Sequence, residues 1–246
     1  MSETGLFSCI AGSREGSMSK CILAVGPHPD DVEGGMGGTA IKLSRMGYEV
    51  HVVDLTNGEP TPHGSPEIRR TEWEKASAIL ELKSREVLDL PNRYLMDTIE
   101  ARIKLAEVIR RRRPDMLFIP WWEDAHPDHT QATKIAEAAR FYAKLTKTNM
   151  AGEPWYTPRI FYYICSHLVT YMEPAFIFDV SDTHDDKMRA CRAYESQFAY
   201  DEQRWNDVSG LFCSYGRYYG ELIGTRYGEP FAAREKLGLL DLKDVI

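Results

Sequence analysis

Four apolar, β-branched runs, at residues 20–26, 49–55, 85–90 and 116–120, alternate with segments of helical periodicity at 34–46, 67–82, 98–113 and 128–145. Strand and helix alternating in this way imply βαβ units and a mostly parallel sheet covered by helices. Beyond residue 146 the pattern loosens. Residues 149–158 are turn-rich, strands are expected at 160–165 and 175–180, and helices at 183–198 and 209–225. No repeat, linker or low-complexity segment divides the chain. The reading is one α/β domain over residues 19–246, with a Rossmann-like three-layer fold. Residues 1–18 are read as a disordered leader, because the short apolar piece Leu6–Ala11 has no basic residue before it.

Charge and cysteine usage narrow the function. Thirty-seven acidic against thirty basic residues leave a net charge of −7, which argues against nucleic acid as a partner, because that binding needs Lys and Arg against phosphate. The run Arg110–Arg113 is a local exception, read as cations complementing a helix C-terminus before Pro114. No apolar stretch approaches the roughly 18 residues needed to cross a bilayer. Five scattered cysteines with no CxxC pair suggest free thiols in a reducing, cytoplasmic compartment.

Chemistry concentrates after two of the strands. Pro27-His28-Pro29-Asp30-Asp31 follows the first, and His126-Pro127-Asp128-His129 follows the fourth. In the doubly wound order 3-2-1-4-5 those two strands are neighbours flanking the crevice where strand order reverses, so the clusters would share one site. Packing so many imidazoles and carboxylates together costs desolvation and repulsion unless a cation compensates. His28, Asp31 and His129 form a set that suits zinc with one position left for water, and spacing does not decide between His126 and His129 as the second imidazole. Asp30, whose side chain diverges from that of Asp31, is free to act as a base. Asp128 also suits a helix N-terminus after Pro127.

A rival motif overlaps the first cluster. Gly35-Met36-Gly37-Gly38-Thr39-Ala40 matches a dinucleotide-binding pattern, with Asp54 at the right distance for a ribose contact. The carboxylates between strand and glycines would repel a pyrophosphate, so the glycines are read instead as letting the first helix pack closely. Arg69, opening the second helix, either reaches the crevice or pairs with Glu67 or Glu72 on the surface. His51, His63, His167 and His184 read as structural.

The combination of Pro-His-Pro-Asp-Asp after strand one, the Thr56-Asn57-Gly58-Glu59 loop, Arg69, and His-Pro-Asp-His after strand four resembles the LmbE-like, or PIG-L, family of zinc-dependent N-acetylglucosamine deacetylases. Ala193–Phe198 and Arg226–Phe231 are similar to segments of its bacillithiol-pathway branch, and the resemblance runs from about residue 20 to 233. It implies zinc, or another divalent ion such as Fe2+, on His28, Asp31 and His129, with Asp30 as general base. It further implies that His126 stabilises the oxyanion as an imidazolium oriented by Asp128, and that Arg69 touches substrate. Pro91-Asn92 stands where the family often has Pro-Asp, making Asn92 a second substrate contact. The implied protein is a homo-oligomer, a trimer or hexamer, removing the N-acetyl group from a small N-acetylglucosamine-containing substrate: the free sugar, a glycoside such as its malate adduct, or a short chitooligosaccharide. Tyr162, Tyr163, Tyr194, Tyr218 and Tyr219 are expected to stack on the sugar ring. The alternatives are a deacylase of a non-sugar or natural-product amide, a Rossmann nucleotide-binding protein and a non-catalytic sugar-binding module.

Overall fold

The computed structural model of the chain describes residues 20–238 apart from 166 and 169; the expected leader lies outside the described residues. Strands β1 (Cys21–Gly26), β2 (Glu49–Asp54), β3 (Ser84–Val87), β4 (Met116–Pro120) and β5 (Arg159–Tyr163) alternate with helices α1 (Asp31–Arg45), α2 (Pro66–Ile79), α3 (Ile99–Arg112) and α4 (Pro127–Ala143). Then follow β6 (Phe176–Asp179), α5 (His184–Arg192), α6 (Glu195–Phe198), α7 (Glu202–Glu221) and β7 (Gly228–Ala232). They build one seven-stranded sheet in the order β3-β2-β1-β4-β5-β7-β6. The first five strands are parallel, and β7 runs antiparallel between β5 and β6.

Side-chain alternation along β1 explains the layers. Leu23 and Val25 join the core made with α3 and α4, whereas Ile22 and Ala24 join Val32, Met36 and Ala40 of α1 on the other face. Every residue of β1 is buried, as expected for a central parallel strand covered on both sides. Among the described residues no helix is long and apolar enough to cross a membrane.

The glycines of α1 are packing devices. A Cβ on Gly35 would lie 2.3 Å from the Tyr163 ring, and one on Gly38 would lie 2.9 Å from Val180. The helix is kinked at Met36, so it starts beneath the β1 loop and then follows the sheet. Asp54 is fully buried against the Arg85 guanidinium, which also holds Glu33. A carboxylate committed in this way cannot take a ribose, and the dinucleotide reading falls.

Other expectations need correction. Strand β3 stops at Val87, because Asp89 takes a positive φ of 53° before Pro91. The helix expected over 183–198 breaks into α5 and α6, which lets the Tyr194 ring sink into the core with its hydroxyl on Glu33. Helix α7 begins at Glu202, capped by the Asp201 carboxylate accepting from Arg204 N. Strand β7 was missed, since Gly228, Glu229 and Pro230 are poor strand formers. Arg110 is buried and donates to the carbonyls of Ala143, Leu145, Met150 and Gly152, tying down the chain after α4 rather than only answering a helix dipole.

Candidate active site

The strand order places the β1–α1 loop beside the β4–α4 loop, at the carboxyl ends of adjacent parallel strands. In the first loop the Pro27 carbonyl accepts from Thr56 N and Oγ1, and Asp31 Oδ2 accepts from His28 N at 2.9 Å. Asp30, between them, holds a strained φ of 126°. Such backbone persists where the surroundings over-determine it; here Arg69 donates to the Pro29 carbonyl at 3.0 Å and to Asp30 Oδ2 at 2.8 Å. Arg69 is buried and also meets Glu59 at 3.2 Å, so the expected surface pairing with Glu67 or Glu72 does not occur.

In the second loop His126 caps α4 with its own ring, Nδ1 accepting from Asp128 N at 3.2 Å. The Asp128 carboxylate points elsewhere. It accepts from Arg93 N at 2.7 Å and Leu95 N at 3.2 Å, and meets His28 Nε2 at 3.1 Å. The expected orientation of the His126 ring by that carboxylate is therefore not the geometry observed: the side chain braces His28 and the 92–95 loop, and only the backbone N–H reaches His126.

Three imidazoles converge, with ring centroids 4.8 Å apart for His28–His126, 5.3 Å for His28–His129 and 4.7 Å for His126–His129. Among the described residues, three overlapping groups have the spacing to hold an ion: His28, His126 and Asp128; His28, Asp31 and His129; and Asp124, His129 and His167. Existing bonds separate them. Asp128 is occupied as described, and Asp124 accepts from His126 N and His167 N and meets His129 Nδ1 at 2.7 Å. In the middle group His129 Nε2 is buried without a hydrogen-bond partner, although Asp31 Oδ1 lies 3.3 Å away, and His28 Nδ1 faces Asp31 Oδ2 at 3.1 Å. A buried, unpaired imidazole nitrogen beside a carboxylate is the place an ion would complete. The donor set fits a divalent metal, and both imidazoles carry a carboxylate on their far nitrogen, as metal-binding histidines usually do.

The electrostatics agree. Burial works against charge on His28 and His129, yet hydrogen bonds donated to the Asp128 and Asp31 carboxylates carry the first up to about 9, and the field of Asp31 with the hydrogen bond to Asp124 carries the second up to about 10. This pocket wants positive charge. Burial pushes Asp30 up to about 7 despite Arg69. Burial and the neighbouring imidazoles push His126 down to about 4, so it is neutral, and with Nδ1 accepting, its proton sits on Nε2.

His28, Asp30, Asp31, Arg69, Asn92, His126 and His129 all line one cavity of about 610 Å³. Residues 23–140 match the family described as PIG-L, GlcNAc-PI de-N-acetylase. The diacetylchitobiose deacetylase of Thermococcus kodakarensis is 35% identical over 226 residues, covering 85% of this chain and 81% of that protein. The chain belongs to the PIG-L family. Among solved structures similar to this PIG-L chain, the conserved protein TT1542 from Thermus thermophilus superposes with a TM-score of 0.82 at 37% identity, covering 89% of this chain and 96% of that one. The N,N'-diacetylchitobiose deacetylase from Pyrococcus horikoshii, complexed with its inhibitor MPG, gives 0.78 at 29% identity over 93% of this chain and 89% of that one.

Within this PIG-L chain, sequence reasoning missed Asp124 and Cys165 and read His167, which lines the cavity, as structural. Asp124 stands two residues before His126, a spacing that could have flagged it. Cys165 gave no signal; its thiol donates to Asp31 Oδ1 at 3.1 Å. The tyrosines expected to stack on sugar are mostly core: Tyr162, Tyr163, Tyr194 and Tyr219 are buried, and Tyr218 lies outside the cavity. The aromatics that do line it are Phe198, Phe212 and Tyr215.

Proposed function

We propose that this protein hydrolyses the N-acetyl group of a small N-acetylglucosamine-containing substrate. The observation that carries the reading is the junction of His28, Asp31 and the unpaired His129 Nε2, with Asp30 and His126 beside it, in a chain resembling deacetylases over most of its length. A divalent ion on His28, Asp31 and His129, for which zinc is the natural choice, would polarise the amide carbonyl and lower the pKa of water toward about 7. Asp30 takes a proton from the attacking water, being near neutrality in affinity and fixed by Arg69. Neutral His126 donates Nε2–H to the oxygen that gains charge; it acts as a hydrogen-bond donor rather than the imidazolium expected from the resemblance. Asp30 then delivers its proton to the amine, which must leave protonated.

Arg69 has most of its donors committed to Asp30, Glu59 and backbone, so its role is to hold Asp30 and offer at most one edge to substrate. Asn92, on the loop braced by Asp128, lines the cavity and can bond a sugar hydroxyl. The substrates for which the relatives are named support a short chitooligosaccharide or simple glycoside. A homo-oligomer and a cytoplasmic location complete the reading, the first supported by the family resemblance and the second by free cysteines.

The test pairs metal analysis of the purified protein with acetate release from N-acetylglucosamine, its glycosides and di-N-acetylchitobiose. About one divalent ion per chain and release from at least one sugar are expected. A protein that carries the ion yet cleaves only unrelated acylated amines removes the sugar assignment.

A further inference from the structure

The cavity has two chemically different ends. Asn92 and Arg93 are reached through His28 and Asp128, whereas Cys165 is reached from the other side of the ligand set, through Asp31 and His129. Beyond Cys165 the wall carries an apolar face, with the charged Lys187, Arg204, Asp207 and Glu229 also lining the cavity. Helix α7 turns Val208, Leu211, Phe212 and Tyr215 toward the cavity, the three-and-four spacing of one helical face, and Ile164 and Phe198 continue that surface. Leu211 is 49% exposed although it sits on a cavity wall. An acetyl group offers this end only one methyl. Apolar surface kept open inside a cavity marks the place of an apolar ligand portion.

Resting on the reading of the site as an amino-sugar deacetylase, we propose that it also hydrolyses amino-sugar amides whose acyl chain is apolar and longer than acetyl, the chain lying along the α7 face. With the amine's sugar toward Asn92 and the carbonyl at the ligand set, the acyl substituent must leave the carbonyl carbon away from the nitrogen, toward Cys165 and α7. The chemistry is that of the acetyl reaction: water adds to the carbonyl carbon, the C–N bond breaks, and a fatty carboxylate and the free amine leave.

The experiment compares N-acetyl, N-butanoyl and N-hexanoyl glucosamine, and octyl N-acetylglucosaminide, with the metal-loaded full-length protein, following free amine. Each methylene that reaches the wall should raise kcat/KM by about fourfold, the worth of a buried CH2. Leu211→Asp, at a half-exposed position that tolerates charge, should lower the hexanoyl-to-acetyl ratio at least tenfold, and Leu211→Trp should shift the preferred chain to a shorter one. Acetate release with hexanoate release below a hundredth of it overturns the extension alone. So does an unchanged ratio in Leu211→Asp, or a gain that follows the octyl aglycone and not the acyl chain. No release from any compound overturns the amino-sugar reading and this proposal together.

Discussion

Asp30 shows how one residue can be bad for the fold and good for the reaction. Its backbone sits at φ 126°, and its carboxylate, only 13% exposed, lies next to that of Asp31. Strain of this kind costs of the order of 1–3 kcal/mol, so Asp30→Gly should raise the melting temperature of the metal-free protein by a few degrees while abolishing turnover; a lowered melting temperature in a thermal scan contradicts this account. Asp30→Asn should keep the ion and lose about 10²–10⁴-fold in kcat, read by metal analysis beside steady-state rates. The geometry of Asp128 gives a sharper expectation. Because its carboxylate serves His28 and the 92–95 loop while His126 acts through Nε2, Asp128→Asn should weaken metal affinity by about 10–100-fold, and His126→Ala should leave affinity intact but cut kcat by about 10²–10³-fold. In kcat/KM at a metal concentration that leaves the Asp128→Asn site partly empty, the two changes should then combine close to additively. A double variant no worse than His126→Ala would restore the role in which Asp128 works only through His126. The sequence made the cluster legible because these residue types have few bland reasons to crowd together. It did not reveal which atom of each residue faces which neighbour, since that depends on side-chain rotations settled by backbone from the 92–95 loop.

The elements were legible where periodicity was strong and obscure where tertiary contacts overrode it. Helices α1 to α4 and the parallel strands follow from apolar spacing, and adjacency of β1 and β4 followed from the usual strand order. Strand β7 escaped because Glu229, mid-strand, faces inward: its carboxylate accepts from Gly38 N and Thr39 N and pairs with Lys187 at 2.7 Å, a reason no local propensity contains. The break between α5 and α6 is likewise set by the pocket that receives Tyr194. Close packing of α1 yields its own expectation. Gly35→Ala would drive a methyl into the Tyr163 ring, and overpacking of this kind costs about 1–3 kcal/mol; because the same turn carries Asp31, metal affinity should fall with stability. Denaturant titration and metal analysis of that variant check both, and an Ala variant as stable as the parent would show that α1 has room to slide.

At the scale of the molecule, the anion-rich junction makes stability depend on its cation. Without metal, His28 and His129 keep their protons until pH rises through about 9 and 10. Their contribution to the metal-free fold is therefore full below the ordinary histidine value near 6.5 and is lost as pH climbs through that upper window. An ion must displace those protons, so affinity should increase from neutral pH toward alkaline, with protons released on binding; calorimetry in buffers of different ionisation enthalpy measures the number, and zero release would contradict protonated imidazoles. Chelation should lower the melting temperature by several degrees, since a ligand at a hundred times its Kd adds about 2.7 kcal/mol. Every residue assigned a part in the ion site or the proton transfers lies within the 23–140 segment that matches the family, whereas the apolar wall is contributed later in the chain. Reaction and selectivity are thus separable in the gene, and a donor wall could be grafted onto this hydrolytic half. The Glu229 clamp sets where the cut must fall: a donor piece that replaced β7 would strip α1 of the brace behind its kink, so the transplanted piece has to stop short of that strand and leave Glu229 in place.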